Sequence, residues 1–149
     1  MKKRFLVLAI AIMFMLCPLL TACGDSVIGE WKISGYSYEF YGEEKFVTLE
    51  EADALVYDEE VTDPDSEQFY LNMVWYVNAS RDDANIEFRN DGKVVLASNE
   101  YDWSYVGETI VMVMDEETQV TFIKLEDGQL KMIYPIPDFE VQINVFLSK

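Results

Sequence analysis

Histidine is absent from all 149 residues, and with it go the usual imidazole base, the commonest metal ligand and the side chain that ordinarily changes charge between about pH 5 and 8. Cysteine is nearly as scarce, with only Cys17 and Cys23. Basic residues are few: 11 Lys and Arg stand against 28 Asp and Glu, for a formal charge of -17. That balance excludes nucleic acid as a partner, because gripping a phosphate backbone takes clustered Lys and Arg that release counterions, and the bases here are scattered among acids. No Ser-His-Asp set can be assembled, and there is no Cys nucleophile or glycine-rich phosphate loop. No catalytic residue, metal ligand set or cofactor is therefore expected. A hydrolase working through two carboxylates is the residual enzymatic alternative, and it needs a fixed separation that sequence does not supply.

Acidity with few hydrophobes would indicate disorder, but half of this chain is hydrophobic and 14% aromatic, ample material for a packed core. The acids are expected to solvate the surface of a folded domain. The first residues differ in kind. Lys2, Lys3 and Arg4 form a basic start, Phe5 to Leu16 an uncharged apolar run, and Thr21 and Ala22 supply small residues, which is the grammar of an export signal. Phe5 to Leu20 falls short of the roughly 20 residues a bilayer core requires, and Pro18 disrupts its end.

Leu20-Thr21-Ala22-Cys23 resembles the bacterial lipobox. The resemblance implies cleavage between Ala22 and Cys23 and diacylglycerol on the Cys23 sulfur, so that the product stands outside the cytoplasm, anchored to a membrane by lipid. One acyl chain holds weakly and two hold stably. The expected organisation is a signal over 1–22, a lipidated tether over 23–27 and one domain over 28–149. Cys17 leaves with the signal, no intramolecular disulfide remains possible, and the core alone must stabilise a monomeric domain. Loss of the three basic residues moves the formal charge to -20, which disfavours contact with anionic headgroups.

From about Ile28 onward the pattern is period-two alternation broken by short turns, the mark of antiparallel strands with one inward face. Phe139, Val141, Ile143, Val145 and Leu147 share one face of the last strand, and Tyr101, Trp103 and Tyr105 another. Asn90-Asp91-Gly92 predicts a three-residue turn with Gly92 left-handed, setting Phe88 beside Val94. Asp127-Gly128 predicts a two-residue turn pairing Leu125 with Leu130 and Ile123 with Met132. With turns at Gly107-Glu108 and Asp115 to Glu117, strands are expected near 85–90, 93–98, 100–106, 109–115, 118–125, 128–134 and 139–147. Ile28 to Tyr41 is long for one straight strand and changes phase at Ser34-Gly35, which predicts a bulge or bend. Thr48-Leu49-Glu50-Glu51 has capping-box spacing and opens a short helix near 49–57. Asp58 to Glu67 reads as an acidic loop, and Gln68 to Asn78 as a strand with Phe69, Leu71, Met73, Trp75 and Val77 on one face. The sum is an all-β antiparallel barrel of about eight or nine strands, with a flatter sandwich as the competing architecture.

Gly29-Glu30-Trp31 resembles the opening of lipocalins, in which such a tryptophan crosses the closed end of the barrel. The further order is similar to that of small lipocalin-like lipoproteins of bacteria: the Thr48 to Glu51 helix start, the Phe88-x-x-Asp91-Gly92-Lys93 hairpin, the Trp103 strand and the Gly107 turn. The resemblance implies an up-and-down barrel with an open mouth and a structural, barrel-closing role for Gly29 and Trp31. The last strand carries no arginine to pack against Trp31.

Two functions stay open. Tyr36, Trp75 and Trp103 are candidate cavity-lining residues for a small apolar ligand, since aromatics offer wide apolar faces with a polar edge, although the same positions suit a filled core. The alternative is a filled barrel that engages a protein partner through its surface. Asp63, Asp65 and Glu67 offer oxygens to calcium, but the segment lacks the EF-hand glycine and reads better as a solvated loop.

Overall fold

The alternation at the C-terminal end is expressed fully. Val141, Ile143, Val145 and Leu147 point inward and are buried, and this strand pairs with the preceding one from Leu130↔Leu147 to Ile136↔Val141. A computed structural model describes residues 26–81, 86–116, 118–136 and 139–149. The signal segment, the Ala22–Cys23 junction, Asn85 and Glu117 lie outside the described residues.

The elements in chain order are β1 (Gly29–Phe40), β2 (Glu43–Thr48), α1 (Leu49–Ala54), α2 (Glu67–Ala79), β3 (Ile86–Phe88), β4 (Lys93–Leu96), β5 (Asn99–Val106), β6 (Thr109–Val113), β7 (Gln119–Lys124), β8 (Leu130–Ile136) and β9 (Val141–Ser148). All strands belong to one antiparallel sheet in the order β2-β1-β3-β4-β5-β6-β7-β8-β9, and β1 also pairs with β9 from Lys32↔Ser148 to Tyr38↔Ile143. β1 and β3 to β9 thus close into an eight-stranded lipocalin-like barrel, with β2 as a ninth strand outside the ring. Closure leaves the ring itself with no open edge. β1 serves two neighbours on one side because it is long. Its first residues pair with β3 and its last with β2, and the register with β9 shifts between Ile33 and Gly35, at the expected bend.

The lower half of the barrel is solid. Phe88, Phe122, Ile110, Leu130 and Leu147 are fully buried, and the Phe88 ring meets Phe122 edge-on at 5.1 Å and Trp103 at 5.4 Å. Below them Trp31 is buried, and its indole N–H donates to the Val27 carbonyl at 2.7 Å. Lys149 lies over the Trp31 ring at 4.9 Å and donates to the Ser26 and Ile28 carbonyls at 2.6 and 3.2 Å.

Local readings held where turn chemistry left one solution. Thr48 caps α1 through a complete capping box with Glu51. Gly92 sits at φ +82° and Phe88 pairs with Val94. The Asp127-Gly128 reading is corrected. The loop holds three residues, Glu126 to Gly128, closed by the Leu125 N–H to the Gln129 carbonyl at 2.9 Å, so Lys124 pairs with Leu130 and Phe122 with Met132. Gly128 alone takes the left-handed conformation, φ +85°, and Asp127 accepts from the Gln129 amide at 3.0 Å. A one-residue slip exchanges the two faces of a strand, which puts Phe122 inside and leaves Ile123 exposed.

A second correction concerns Gln68 to Asn78, which is helix, not strand. The segment is apolar nearly all round, so Phe69, Met73 and Val77 satisfy period two and a helical i, i+4 stripe at once. Thirteen residues in α2 exceed ordinary strand length, and tertiary packing selects the helix, with Phe69, Asn72, Met73, Val74 and Val77 buried. Phe139 is likewise not on the last strand. It precedes β9 and meets Phe69 of α2 edge-on at 5.0 Å. β2 is an element the alternation did not reveal, formed because Tyr41 and Gly42, at φ +50° and +81°, make a tight turn after β1.

Candidate functional site

Two buried tyrosines of β1 determine where α2 lies. The Tyr36 hydroxyl donates to Asn78 Oδ1 at 3.0 Å near the C-terminal end of the helix, and the Tyr38 hydroxyl to Glu67 Oε1 at 2.9 Å at its start. Glu67 is also paired with Lys45 of β2. Asn72, buried in the middle, donates to the Asp58 carbonyl at 2.8 Å and so fastens the acidic loop to the helix. Asn78 and Arg81 both bond Asp53 of α1. The helix is thus held across the end of the barrel remote from Trp31.

Beneath it lies a cavity of about 210 Å³. Its walls are Ile33, Leu96, Met114 and Met132 from the barrel and Val77 from α2, with Tyr76, Tyr101 and Tyr134 placed around it. Among the described residues no Lys, Arg, Asp or Glu borders this space. Burial, with the neighbouring Tyr76 and Tyr101 phenols, pushes the Tyr134 hydroxyl above the usual phenol range, so it stays protonated and neutral. Ala97 and Asn99 reach the rim from the β4–β5 turn, where Ala97 and Ser98 sit at φ +48° and +67°. Left-handed backbone at a residue with a Cβ costs roughly 1–2 kcal/mol, so the rim carries strain that the rest of the fold sustains.

The three sequence candidates lie elsewhere. Tyr36 is buried as the post that supports α2. Trp103 packs on Phe88 and donates its indole N–H to the Lys93 and Arg89 carbonyls at 3.0 and 3.2 Å, securing the β3–β4 hairpin. Trp75 stacks on Tyr57 at 4.8 Å on the flank of the helix. None of the three borders the cavity. Gly29, at φ +121°, opens β1 beside Phe88. Of the residues that line the cavity, Tyr101 and Met132 were already legible as inward-facing; Tyr76, Tyr134 and Met114 had no signal until α2 and the β8 register were in place.

A second feature lies on the outer wall, where β2 continues the sheet. Phe46 is 68% exposed and meets Phe146 at 5.6 Å beside a shallow groove over Gly35. The groove also carries Glu44, which accepts from Ser37 at 2.6 Å and from Lys131 at 3.2 Å. Among the described residues no group of His, Cys, Asp or Glu is arranged to hold a metal ion. In the segment considered for calcium, Asp63 accepts from the Asp65 amide at 3.0 Å while Glu67 faces Lys45 and Tyr38.

The carboxylates that hold these pieces together titrate low. Glu67 is depressed by its bonds from Lys45 and Tyr38, Glu44 by Ser37 and then Lys131 and Asn144, and Asp53 by Asn78 and Arg81. A depressed carboxyl contributes stability that is fully present above its unfolded value, about 4.3 for Glu and 3.9 for Asp, and is lost as pH falls through the folded value. The melting temperature should therefore fall on acidification below about pH 4.5, with Glu67→Gln flattening that fall. A melting temperature unchanged from about pH 6 to 3 would show that these carboxylates are not coupled to folding.

Among the described residues no helix is long and apolar enough to cross a membrane. Comparison with known protein families, curated proteins and solved structures returns no match.

Proposed function

We propose that this chain is an exported, lipid-anchored binding protein whose barrel takes a small apolar ligand noncovalently in the cavity beneath α2. One observation carries the binding reading: a space of about 210 Å³, lined among the described residues by aliphatic side chains, methionines and tyrosines with no charged group, lies above buried Phe88, Phe122, Ile110, Leu130 and Leu147. A lining of apolar side chains with a few convergent hydroxyls is the usual character of a small-molecule site. The anchor rests on the Leu20-Thr21-Ala22-Cys23 spacing behind a basic and apolar start. Intact mass of the membrane-extracted chain checks it: residues 23–149 carrying added diacylglycerol is the expected species, and a mature chain without lipid mass refutes the anchor.

For the cavity, an uncharged apolar dye titrated into the full chain should bind saturably, and Met132→Trp should fill the space and weaken binding by at least tenfold, about 1.4 kcal/mol. Absence of saturable binding by the dye and by a panel of lipids and sterols would overturn the carrier reading.

A second reading has its own observation. Phe46, exposed on the strand outside the ring, packs on half-buried Phe146 of β9, and exposed aromatic anchors mark protein-interaction surfaces. On that reading Phe46→Ser abolishes partner capture and leaves dye binding unchanged.

A further inference from the structure

The cavity beneath α2 has a neighbour. On the other side of Tyr76 and Tyr134 lies an outer cleft of about 360 Å³, closed by Tyr57, Met73, Ile136 and Phe139. Tyr76 and Tyr134 border both spaces, so the inner cavity and the more aromatic outer cleft meet at these two tyrosines. The inner chamber alone is smaller than the roughly 300–1,000 Å³ of ordinary ligand pockets, and a molecule that uses both would lie against Tyr76 and Tyr134.

We infer that the ligand is a cationic amphiphile, with an alkylammonium head among Tyr57, Tyr76, Tyr134 and Phe139 and a short apolar tail between Met114 and Met132. This rests on the reading that the inner cavity takes apolar molecules, and adds the head group. Four aromatic residues line the outer cleft, and a cation held over an aromatic face is attracted by the ring quadrupole. Among the described residues neither space is bordered by Lys or Arg, so none of them supplies a counter-charge to a carboxylate or phosphate head. The field of the molecule has the matching sign: the chain carries -17 overall, and the exposed acids Asp58, Glu59 and Glu60 follow Tyr57 directly. Cations are drawn to such a surface and anions repelled. Tyr57, Tyr76 and Phe139 are each more than a third exposed, so a head group reaches the rings without displacing a buried side chain.

The test uses three probes of one shape titrated into the full chain: hexyltrimethylammonium, its uncharged tert-butyl isostere and hexyl sulfate. Binding is followed by calorimetry and by tryptophan fluorescence, to which Trp75, stacked on Tyr57, reports from the cleft. The ammonium probe should bind roughly two- to fivefold more tightly than the isostere, and the sulfate most weakly. Tyr57→Leu and, independently, Phe139→Leu should bring the ratio of ammonium to isostere affinity close to one, and Met132→Trp should weaken both. Equal binding of ammonium and isostere would overturn the cationic head and leave the apolar cavity standing. Failure of all three to bind would overturn both readings, and preferential binding of the sulfate would overturn the charge argument alone.

Discussion

Replacing Phe122 by alanine should lower the midpoint of urea unfolding by the equivalent of about 3–5 kcal/mol, with an unchanged slope. The residue is fully buried and its ring meets Phe88 edge-on at 5.1 Å, so truncation removes apolar burial, an aromatic pair and the support of a second large ring. The pair alone contributes about 0.5–1.5 kcal/mol beyond its area. Domains of this size are stable by about 5–15 kcal/mol in total, so the variant should sit near the edge of folding at 37 °C. The informative control is one position along. Ile123→Ala, on the exposed outer face, should cost well under about 1 kcal/mol. If Ile123→Ala proved the more damaging of the two, the β7–β8 register would be the other one and the inside of the barrel would have to be redrawn.

Placing proline at Val74, in the middle of α2, should be equally severe for a different reason. Val74 is fully buried within the 13-residue helix, and proline removes an intrahelical hydrogen bond and clashes with the preceding turn, at about 3 kcal/mol or more. The expected result divides the molecule. Far-UV circular dichroism should lose its helical part and dye binding should disappear. The fluorescence of Trp103 should keep its folded signature, because its indole is held by the Arg89 and Lys93 carbonyls of the β3–β4 hairpin and not by α2. Dye affinity that survives the proline would place the ligand away from the helix and remove the cavity from consideration.

The contrast between these two regions explains what sequence could and could not convey. Strand faces and glycine-dependent turns are local matters. Val141 to Leu147 alternate because one side must leave water, and Asn90-Asp91-Gly92 closes as a three-residue turn because Gly92 alone adopts φ +82° cheaply. Asp127-Gly128 offers nearly the same chemistry, but two loop lengths satisfy it, and each gives a plausible set of inward residues. Only the competition between Phe122 and Ile123 for the core decides. Gln68 to Asn78 is apolar on every side, so its periodicity does not discriminate; the acid and serine at its start and its length are the surviving clues. The candidate site depends on that choice. With the segment read as a strand, nothing covers the end of the barrel, and the large aromatics Tyr36, Trp75 and Trp103 are the natural lining. With it as a helix, Tyr36 becomes its support, Trp75 turns to its flank, and the space passes to Tyr76, Tyr101, Tyr134 and the two methionines.

The Lys149 clasp on Ser26 and Ile28 brings the first and last described residues to one pole of the barrel, the pole that Trp31 seals. Whatever is fastened at either end, a lipid, a purification tag or a solid support, leaves the molecule from that underside. The tyrosine threshold then points the opposite way, into open solution, and a ligand arriving there meets no obstruction from the surface on which the domain is mounted.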